Sequence, residues 1–269
     1  MLTIKNNIMS INAARNLGRS YDALGTSVER LSSGMRINSA KDDAAGLAVR
    51  ELMRADIAAL RQGSRNAQDG ISLLQTMEGA MQTLDDLLVR MKQLAEQAAT
   101  GVYSTAQRTI MDNEFDEIAL EINRVASATQ FNGITMLDNS AAVSVHFGGQ
   151  TDTISIVGKI MTTTGLAINN ANIATANSAI AALTTLDSAI QLATTARADF
   201  GAKMNRLENT VALLDVEAEN MSASESRISD VDVATEMAEL TRNQVLAQAG
   251  TSMLAQANSI PQMALTLLR

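Results

Sequence analysis

The sequence predicts a mainly α-helical protein: a long antiparallel helical rod or coiled-coil bundle with one small β-hairpin, in which the N- and C-terminal helices pair at one end. Hydrophobic residues recur at steps of three and four along most of the 269 residues, which places them on one helix face. Proline occurs once in the whole chain, and proline interrupts helices. Aromatic residues make up only 2% of the chain, so aliphatic side chains must form the helix seams.

The first helix is predicted over residues 4–31 by a continuous apolar stripe. A break follows at Ser32-Ser33-Gly34, and the small polar residues 39–46 predict a connector. Asp42 or Asp43 is expected to cap the second helix, because an aspartate side chain accepts hydrogen bonds from the first free backbone N–H groups of a helix.

The second helix is predicted over residues 45–99 and would reach roughly 80 Å at about 1.5 Å per residue. Gly101 is expected to end it. Helices of globular proteins are rarely so long, so this length favours a rod. A third apolar stripe runs from Phe115 to Thr129, and residues 131–137 predict a turn.

A β-hairpin is predicted over residues 143–157, because hydrophobic and polar residues alternate on either side of Gly148-Gly149. Residues 161–179 predict a loop that leads into a helix. The fourth apolar stripe, from Leu186 to Met221, has the most regular heptad spacing, and Arg197 is its only charged position.

The last helix is predicted over residues 232–268, after a break at Ser229-Asp230. Its part 243–268 contains no charged side chain, although glutamine and asparagine residues surround its apolar face. A membrane-spanning helix would be almost continuously apolar, and an ordinary surface helix would carry charges, so neither matches this segment. Burial against several copies of the same chain does match, because amides pair there without the cost of desolvating a charge. A core helix of a closed helical bundle is the alternative.

The hydrophobic positions of the two terminal helices are the predicted self-assembly residues. One chain alone cannot supply enough neighbours to cover them, whereas further copies can. These residues are Ile4, Ile8, Ile11, Leu17, Leu24, Leu246, Met253, Leu254, Ile260 and Leu267.

The net charge of −8, without a basic stripe that carries interleaved aromatic residues, argues against a nucleic-acid partner. Residues 1–65 carry ten Lys or Arg and six Asp or Glu, whereas residues 207–241 carry nine Asp or Glu and one Arg. Opposite charges can steer the docking of these two arms and set their register. Ordinary solvated helix faces explain the same pattern.

No catalytic, cofactor-binding or metal site is predicted. The absence of cysteine excludes disulfides and thiolate ligands. His146, the only histidine, falls in the predicted hairpin, where a surface role is favoured over a catalytic or metal-binding one. The N-terminus lacks the charged and apolar regions of a conventional signal peptide, so export is expected to use another route. The sequence therefore predicts a protein that is not an enzyme.

Three stretches of the chain resemble bacterial flagellin. They are RLSSGMRINSAKDDAAGLA at residues 30–48, TQFNG at residues 129–133, and ANSIPQ at residues 257–262 followed by the terminal Leu267-Leu268-Arg269. The similarity covers about 1–140 and 176–269, and the motifs occur in the order of the family. It implies a secreted, extracellular structural subunit that leaves through the flagellar type III export channel and polymerises into the filament used for motility. A hook-associated filament junction protein and a monomeric coiled-coil binding module are the alternatives.

The resemblance also implies a domain organisation without the variable outer domains of many flagellins. Residues 1–40 and 229–269 would form the N- and C-terminal filament-core helices. Residues 41–140 and 176–228 would form the two parts of the rod domain, and residues 141–175 would supply the β-hairpin and loop in place of the outer domains.

The partners that the resemblance implies are further copies of the chain, an export chaperone at the C-terminal helix, the filament cap and hook-associated proteins. A host Toll-like receptor that senses flagellin is also implied, and by motif position its contact residues would be Arg90, Leu94 and Glu114. No nucleic acid, membrane or cofactor is expected.

Overall fold

A computed structural model of the chain describes residues 6–149 and 151–267, with the side chains of 261–267 outside the description. The protein is mainly helical and has two small antiparallel sheets, so the predicted fold class is confirmed. The helices are α1 (Ile8–Ser33), α2 (Ala44–Ala99), α3 (Thr105–Ala128), α4 (Ala176–Ser229) and α5 (Val233–Leu267). The strands are β1 (Gln130–Phe131), β2 (Ile134–Thr135), β3 (Ala142–His146) and β4 (Thr153–Val157).

Local side-chain chemistry sets the helix ends. The Asn7 side chain caps the start of α1, and Gly34, with φ 72°, closes its end in the left-handed conformation that glycine adopts without strain. Asp43 accepts a hydrogen bond from the Gly46 backbone N–H, so the second of the two predicted aspartates caps α2. Ser104 starts α3 with a capping box.

The C-terminal end of α2 differs in one detail from the prediction. The helix ends at Ala99, two residues before Gly101. Among the described glycines, only Gly34 and Gly133 have positive φ, so Gly101 does not close α2 in the left-handed conformation. The Arg108 guanidinium instead donates hydrogen bonds to the free carbonyl oxygens of Ala98 and Thr100.

The contacts divide the chain into two compact units, and α2 and α4 contribute residues to both. Unit 2, residues 58–218, contains the main hydrophobic core. The predicted stripes of α2, α3 and α4 supply most of this core, in which Phe115 and Phe200 are the largest fully buried side chains. A loop covers residues 158–175 and ends before the predicted residue 179, because α4 begins at Ala176. This loop buries Met161, Leu166, Ile168 and Ile173 in the core.

The predicted hairpin lies in unit 2, with Val145 paired to Ile154 across β3 and β4. It packs directly on the backbone of α2: a Cβ atom added at Gly63 would stand 2.1 Å from the Phe147 carbonyl oxygen. Asn66, one helix turn further along, donates a hydrogen bond from Nδ2 to the His146 carbonyl oxygen at 2.9 Å. The absence of a side chain at Gly63 therefore creates the space that the hairpin occupies.

Unit 1 comprises residues 1–57 and 219–269, in which α1 packs along α5. The predicted pairing of the terminal helices is thus confirmed. Within the described ranges, no helix is both long enough and apolar enough to cross a membrane.

Candidate assembly surfaces

Small residues line the contact between α1 and α5. Ser27 is the buried residue of α1, and Ala247 and Ala257 are the buried residues on the described part of α5. Leu17 packs against Gly250, where a Cβ atom would stand 3.0 Å from Leu17 Cδ1. Small residues allow two helix backbones to approach closely, but they remove little apolar area from water.

Polar contacts reinforce this helix pair along its length. Asn7 Nδ2 donates to the Ala257 carbonyl oxygen at 2.7 Å, and Ser10 Oγ donates to Asn258 Oδ1 at 2.8 Å. Arg30 Nη1 lies 3.6 Å from Glu236 Oε2. Among the described residues, this is the ion pair that joins the basic arm to the acidic arm. The other charged side chains of the two arms, as far as described, form no ion pair from one arm to the other, although Arg36 donates a hydrogen bond to the Ile228 carbonyl oxygen.

The large hydrophobic residues of both helices point elsewhere. Ile8 and Met253 are each 63% exposed, and Ile11 and Leu246 are also exposed. The other predicted self-assembly residues with described side chains, namely Leu17, Leu24, Leu254 and Ile260, are half-buried. Ile4 and the side chain of Leu267 lie outside the described residues. Unit 1 alone therefore leaves much of its apolar surface in water.

Part of this surface forms a groove of about 500 Å³ along the α1–α5 pair. Met9 and Leu17 line it from α1, and Leu246, Met253 and Ile260 line it from α5. Asn12, Asn16 and Gln256 border the same groove, so amides accompany its apolar residues. A surface of this composition can be covered by protein without burying a charge.

The connector after α1 is hydrogen-bonded to the segment that precedes α5. Met35 pairs with Asp230 as an isolated β-bridge. The Arg36 N–H donates to the Ser229 carbonyl oxygen at 2.6 Å, and the Val231 N–H donates to the Gly34 carbonyl oxygen at 3.1 Å. This contact could not be predicted from the sequence, because backbone hydrogen bonds between two turns leave no side-chain pattern.

Asp42 organises the connector itself. Its Oδ2 atom accepts hydrogen bonds from the backbone N–H groups of Asn38 and Ser39 and from the Ser39 hydroxyl. These bonds, with that from the Ser39 backbone contributing most, lower the pKa of the Asp42 carboxyl from its ordinary value. Behind the turn, the buried Arg50 guanidinium donates to the Ile37 carbonyl oxygen at 2.7 Å.

The structure separates the three predicted receptor-contact residues into two groups. Arg90 and Glu114 are exposed and form an ion pair between α2 and α3, with Nη2 2.6 Å from Oε1. Leu94, one turn after Arg90 on α2, is only 2% exposed and belongs to the core of unit 2. The ion pair can therefore contact a partner directly, whereas Leu94 supports the surface from below.

Two family models match most of the chain. Residues 4–142 match the bacterial flagellin N-terminal helical region, and residues 183–268 match the bacterial flagellin C-terminal helical region. Among curated proteins, the chain is 42% identical to the flagellin FlaB2 of Treponema pallidum, with all of both chains covered. It is 38% identical to a flagellin of Bacillus subtilis, again over all of both chains.

Solved structures of similar proteins match part of the chain. The crystal structure of Bacillus cereus flagellin is 31% identical, with a TM-score of 0.51, and the match covers 60% of this chain and 94% of that one. A putative flagellar hook-associated protein of Vibrio parahaemolyticus has a TM-score of 0.60 and covers 70% of this chain and 100% of that one. Its identity of 14% shows a shared fold alone.

Proposed function

The chain belongs to the bacterial flagellin family, in a short form with only the N- and C-terminal helical regions, and we propose that its terminal helices join subunits through their exposed apolar residues. As a flagellin, it is a structural subunit of the flagellar filament used for motility and not an enzyme. One observation carries the proposal about the helices. The α1–α5 contact uses small and polar residues, while large hydrophobic residues of both helices remain exposed.

Burial of these exposed residues between subunits would stabilise a polymer. Full burial of a leucine, isoleucine or methionine side chain contributes about 1.5–3 kcal/mol relative to exposure. Ile8, Ile11, Leu246 and Met253 forgo much of that contribution in the single chain. Neighbouring copies supply the missing apolar contacts, and the amides around the groove pair without a desolvated charge.

The proposed domain roles rest on the same contrast. Residues 1–40 and 229–269 would act as filament-core segments, since the contact between their helices buries mainly small residues and leaves large hydrophobic residues of both helices exposed. Residues 41–140 and 176–228 would supply the rod domain, whose core is largely complete within the chain. Residues 141–175 would add the hairpin and loop, in place of outer domains.

Leu246 and Leu192 provide a matched test, because each side chain is 49% exposed and only Leu246 lies on a terminal helix. We expect Leu246→Glu to prevent filament formation, because a carboxylate would be buried among neighbouring subunits. Leu192→Glu on α4 is expected to polymerise. Sedimentation and electron microscopy after salting out measure the result, and normal filaments from Leu246→Glu would contradict the proposal.

Electron microscopy also separates the two alternative functions from filament formation. A hook-associated junction protein would give short collars instead of long fibres. The chain is only 14% identical to the hook-associated protein that shares its fold, so this similarity does not favour the junction role over the filament role of the flagellin relatives. A monomeric coiled-coil binding module would give no polymer.

The same C-terminal helix is the proposed docking site of an export chaperone, since residues 243–268 carry no charge and the groove beside them is apolar. A chaperone that covers this surface would hold the subunit unpolymerised until export. Met253→Glu is expected to weaken co-purification with the chaperone, whereas Leu192→Glu is expected to leave it unchanged. Equal co-purification of both variants would place the chaperone elsewhere. The filament cap and hook-associated proteins would then meet the polymer at its ends.

The exposed Arg90–Glu114 ion pair is the proposed contact for the flagellin-sensing Toll-like receptor, with Leu94 supporting it from the core. Arg90→Glu is expected to reduce receptor activation by soluble monomer at least about tenfold, because charge reversal at an interface opposes binding. Arg124→Glu is the control, since Arg124 forms a similarly exposed ion pair with Glu121. A reporter-cell assay measures both, and no response to the unchanged monomer at high dose would rule out recognition.

A further inference from the structure

Arg197 is the charged side chain in the otherwise uncharged seam of α4, between the buried Ala193 and Phe200. Its guanidinium bridges two carboxylates of α2. Nη2 lies 2.6 Å from Glu78 Oε1, and Nη1 lies 2.6 Å from Asp85 Oδ2. Glu78 and Asp85 are one heptad apart, about 10.5 Å along the helix axis. The Arg197 guanidinium therefore stands between two carboxylates that lie at different levels along α2.

This cluster is poorly suited to a purely stabilising role. Glu78 Oε2 and Asp85 Oδ1 are buried and have no hydrogen-bond partner. Such atoms carry a desolvation cost that offsets part of what these half-buried ion pairs contribute. The best-attested use of polar residues in a helix seam is to select one register.

The rest of the α2 seam discriminates weakly between registers. Met77, Met81 and Met91 are fully buried there, and methionine adapts to irregular gaps. A shift of α4 by one heptad would bring the buried Phe200 to another stretch of the aliphatic and methionine core. It would, however, move Arg197 away from one carboxylate and towards either Ile71 or the like-charged Lys92, which stand one heptad beyond Glu78 and Asp85.

Two further polar contacts mark the same antiparallel register. Lys92 pairs with Asp187 on one side of the cluster, and Ser64 Oγ donates to Asp215 Oδ1 at 3.1 Å on the other. The Lys92–Asp187 pair is largely exposed, and exposed ion pairs contribute little. The Arg197 cluster is the less exposed of the two ion-paired sites and is bonded at two points of α2.

We propose that Arg197 is a specificity-determining residue that fixes the heptad register of α2 against α4, through its simultaneous bonds to Glu78 and Asp85. The role goes beyond the assembly contacts of the terminal helices, because it lies inside unit 2 of each subunit. A helical polymer repeats one subunit shape, so a single α2–α4 register keeps every copy identical.

The register can be read by disulfide formation, because the chain has no cysteine of its own. Ser64→Cys is combined in turn with Asp215→Cys, which reports the observed register, and with Glu208→Cys or Ser222→Cys, which report shifts of one heptad in each direction. Each pair is placed in the unchanged background, in a neutral triple background (Glu78→Met, Asp85→Leu, Arg197→Met) and in an Arg206→Met control. Arg206 is exposed on the same helix, and no bond of its side chain is described.

In the unchanged and control backgrounds, only the disulfide between positions 64 and 215 is expected. In the triple background, the shifted disulfides are expected to rise at least about tenfold while the melting temperature stays equal or increases. Exclusive formation of the 64–215 disulfide in the folded triple variant would overturn the proposal. If that variant does not fold, Arg197→Met alone decides, because a methionine side chain donates no hydrogen bond to either carboxylate: shifted disulfides support the register role, and their absence overturns it.

Discussion

Gly250 on α5 lies against Leu17 on α1 so closely that a methyl group added at Gly250 would stand 3.0 Å from Leu17 Cδ1. This contact allows the two helix backbones to approach, and it lies beside the groove lined by Leu246 and Met253. The spacing of α1 and α5 therefore shapes the apolar surface that neighbouring subunits are proposed to cover.

Gly250→Val is expected to weaken polymerisation, because a branched side chain would push α1 away from α5 and change the shape of this groove. The expected result is a higher critical concentration for filament formation, by roughly tenfold or more for a loss of about 1.4 kcal/mol per subunit. Sedimentation of polymer at a series of protein concentrations measures it. Gly201→Val on α4 is the control, since nothing lies within 4 Å of an added Cβ there and this helix is outside the proposed assembly contact. A similar change in both variants would mean that helix propensity, and not the contact with Leu17, is responsible.

Gly63→Ala is expected to destabilise unit 2 by about 1–3 kcal/mol, because the new Cβ would overlap the Phe147 carbonyl oxygen and displace the hairpin from α2. This loss of stability should exceed the roughly 1 kcal/mol that alanine gains over glycine in helix propensity. Gly79→Ala, on the same helix with nothing within 4 Å, should show that gain alone. Thermal unfolding of both variants measures the difference. A melting temperature that rises equally in both would show that the hairpin does not depend on its contact at Gly63.

The Asp42 turn is expected to be sensitive to acid. Its hydrogen bonds lower the pKa of the folded carboxyl below the ordinary value near 3.8, so they stabilise the turn above that pH and are lost as the pH falls through the lower folded pKa. The amide proton of Ser39, which donates to Asp42, should therefore titrate with a midpoint below pH 3.8 when followed by NMR in dilute monomer. Asp42→Ala should abolish this titration, and Asp56→Asn, an exposed change on α2, should not. A midpoint above pH 3.8 would contradict this account of the turn.

The fold was largely predictable because hydrophobic spacing directly reports helix faces. Leu186, Phe200 and Leu207 were predicted on one stripe, and all three are buried in unit 2. The stripe of α1 behaves differently: Ile8 and Ile11 remain exposed although they belong to an equally regular pattern. Hydrophobicity indicates that a residue is to be buried, but it does not indicate which partner buries it.

The details that depend on close backbone approach could not be predicted from the pattern. Nothing in the sequence around Gly63 indicates that the hairpin packs on α2 at this position. Arg197 was recognised as the charged position of its stripe, but its two partners on α2 depend on the register of two helices far apart in sequence. Leu94 likewise shares a motif with Arg90, yet Leu94 is buried and Arg90 is exposed.

The terminal helices are expected to be the first parts of the isolated subunit that a protease cuts. The α1–α5 pair buries mainly small side chains, so local opening there should cost less free energy than opening of the unit 2 core. In dilute monomer, brief trypsin treatment should cleave after the exposed Arg15 and Arg19 on α1 and Arg242 on α5 before it cleaves after the exposed Arg206 on α4. In filaments, the three terminal sites should become resistant, because neighbouring copies are proposed to cover these helices. Mass spectrometry of the fragments identifies the order of cleavage. If the terminal sites of the solitary subunit were as resistant as Arg206, its end helices would already be stable without neighbours, and polymerisation would not be what buries their apolar residues.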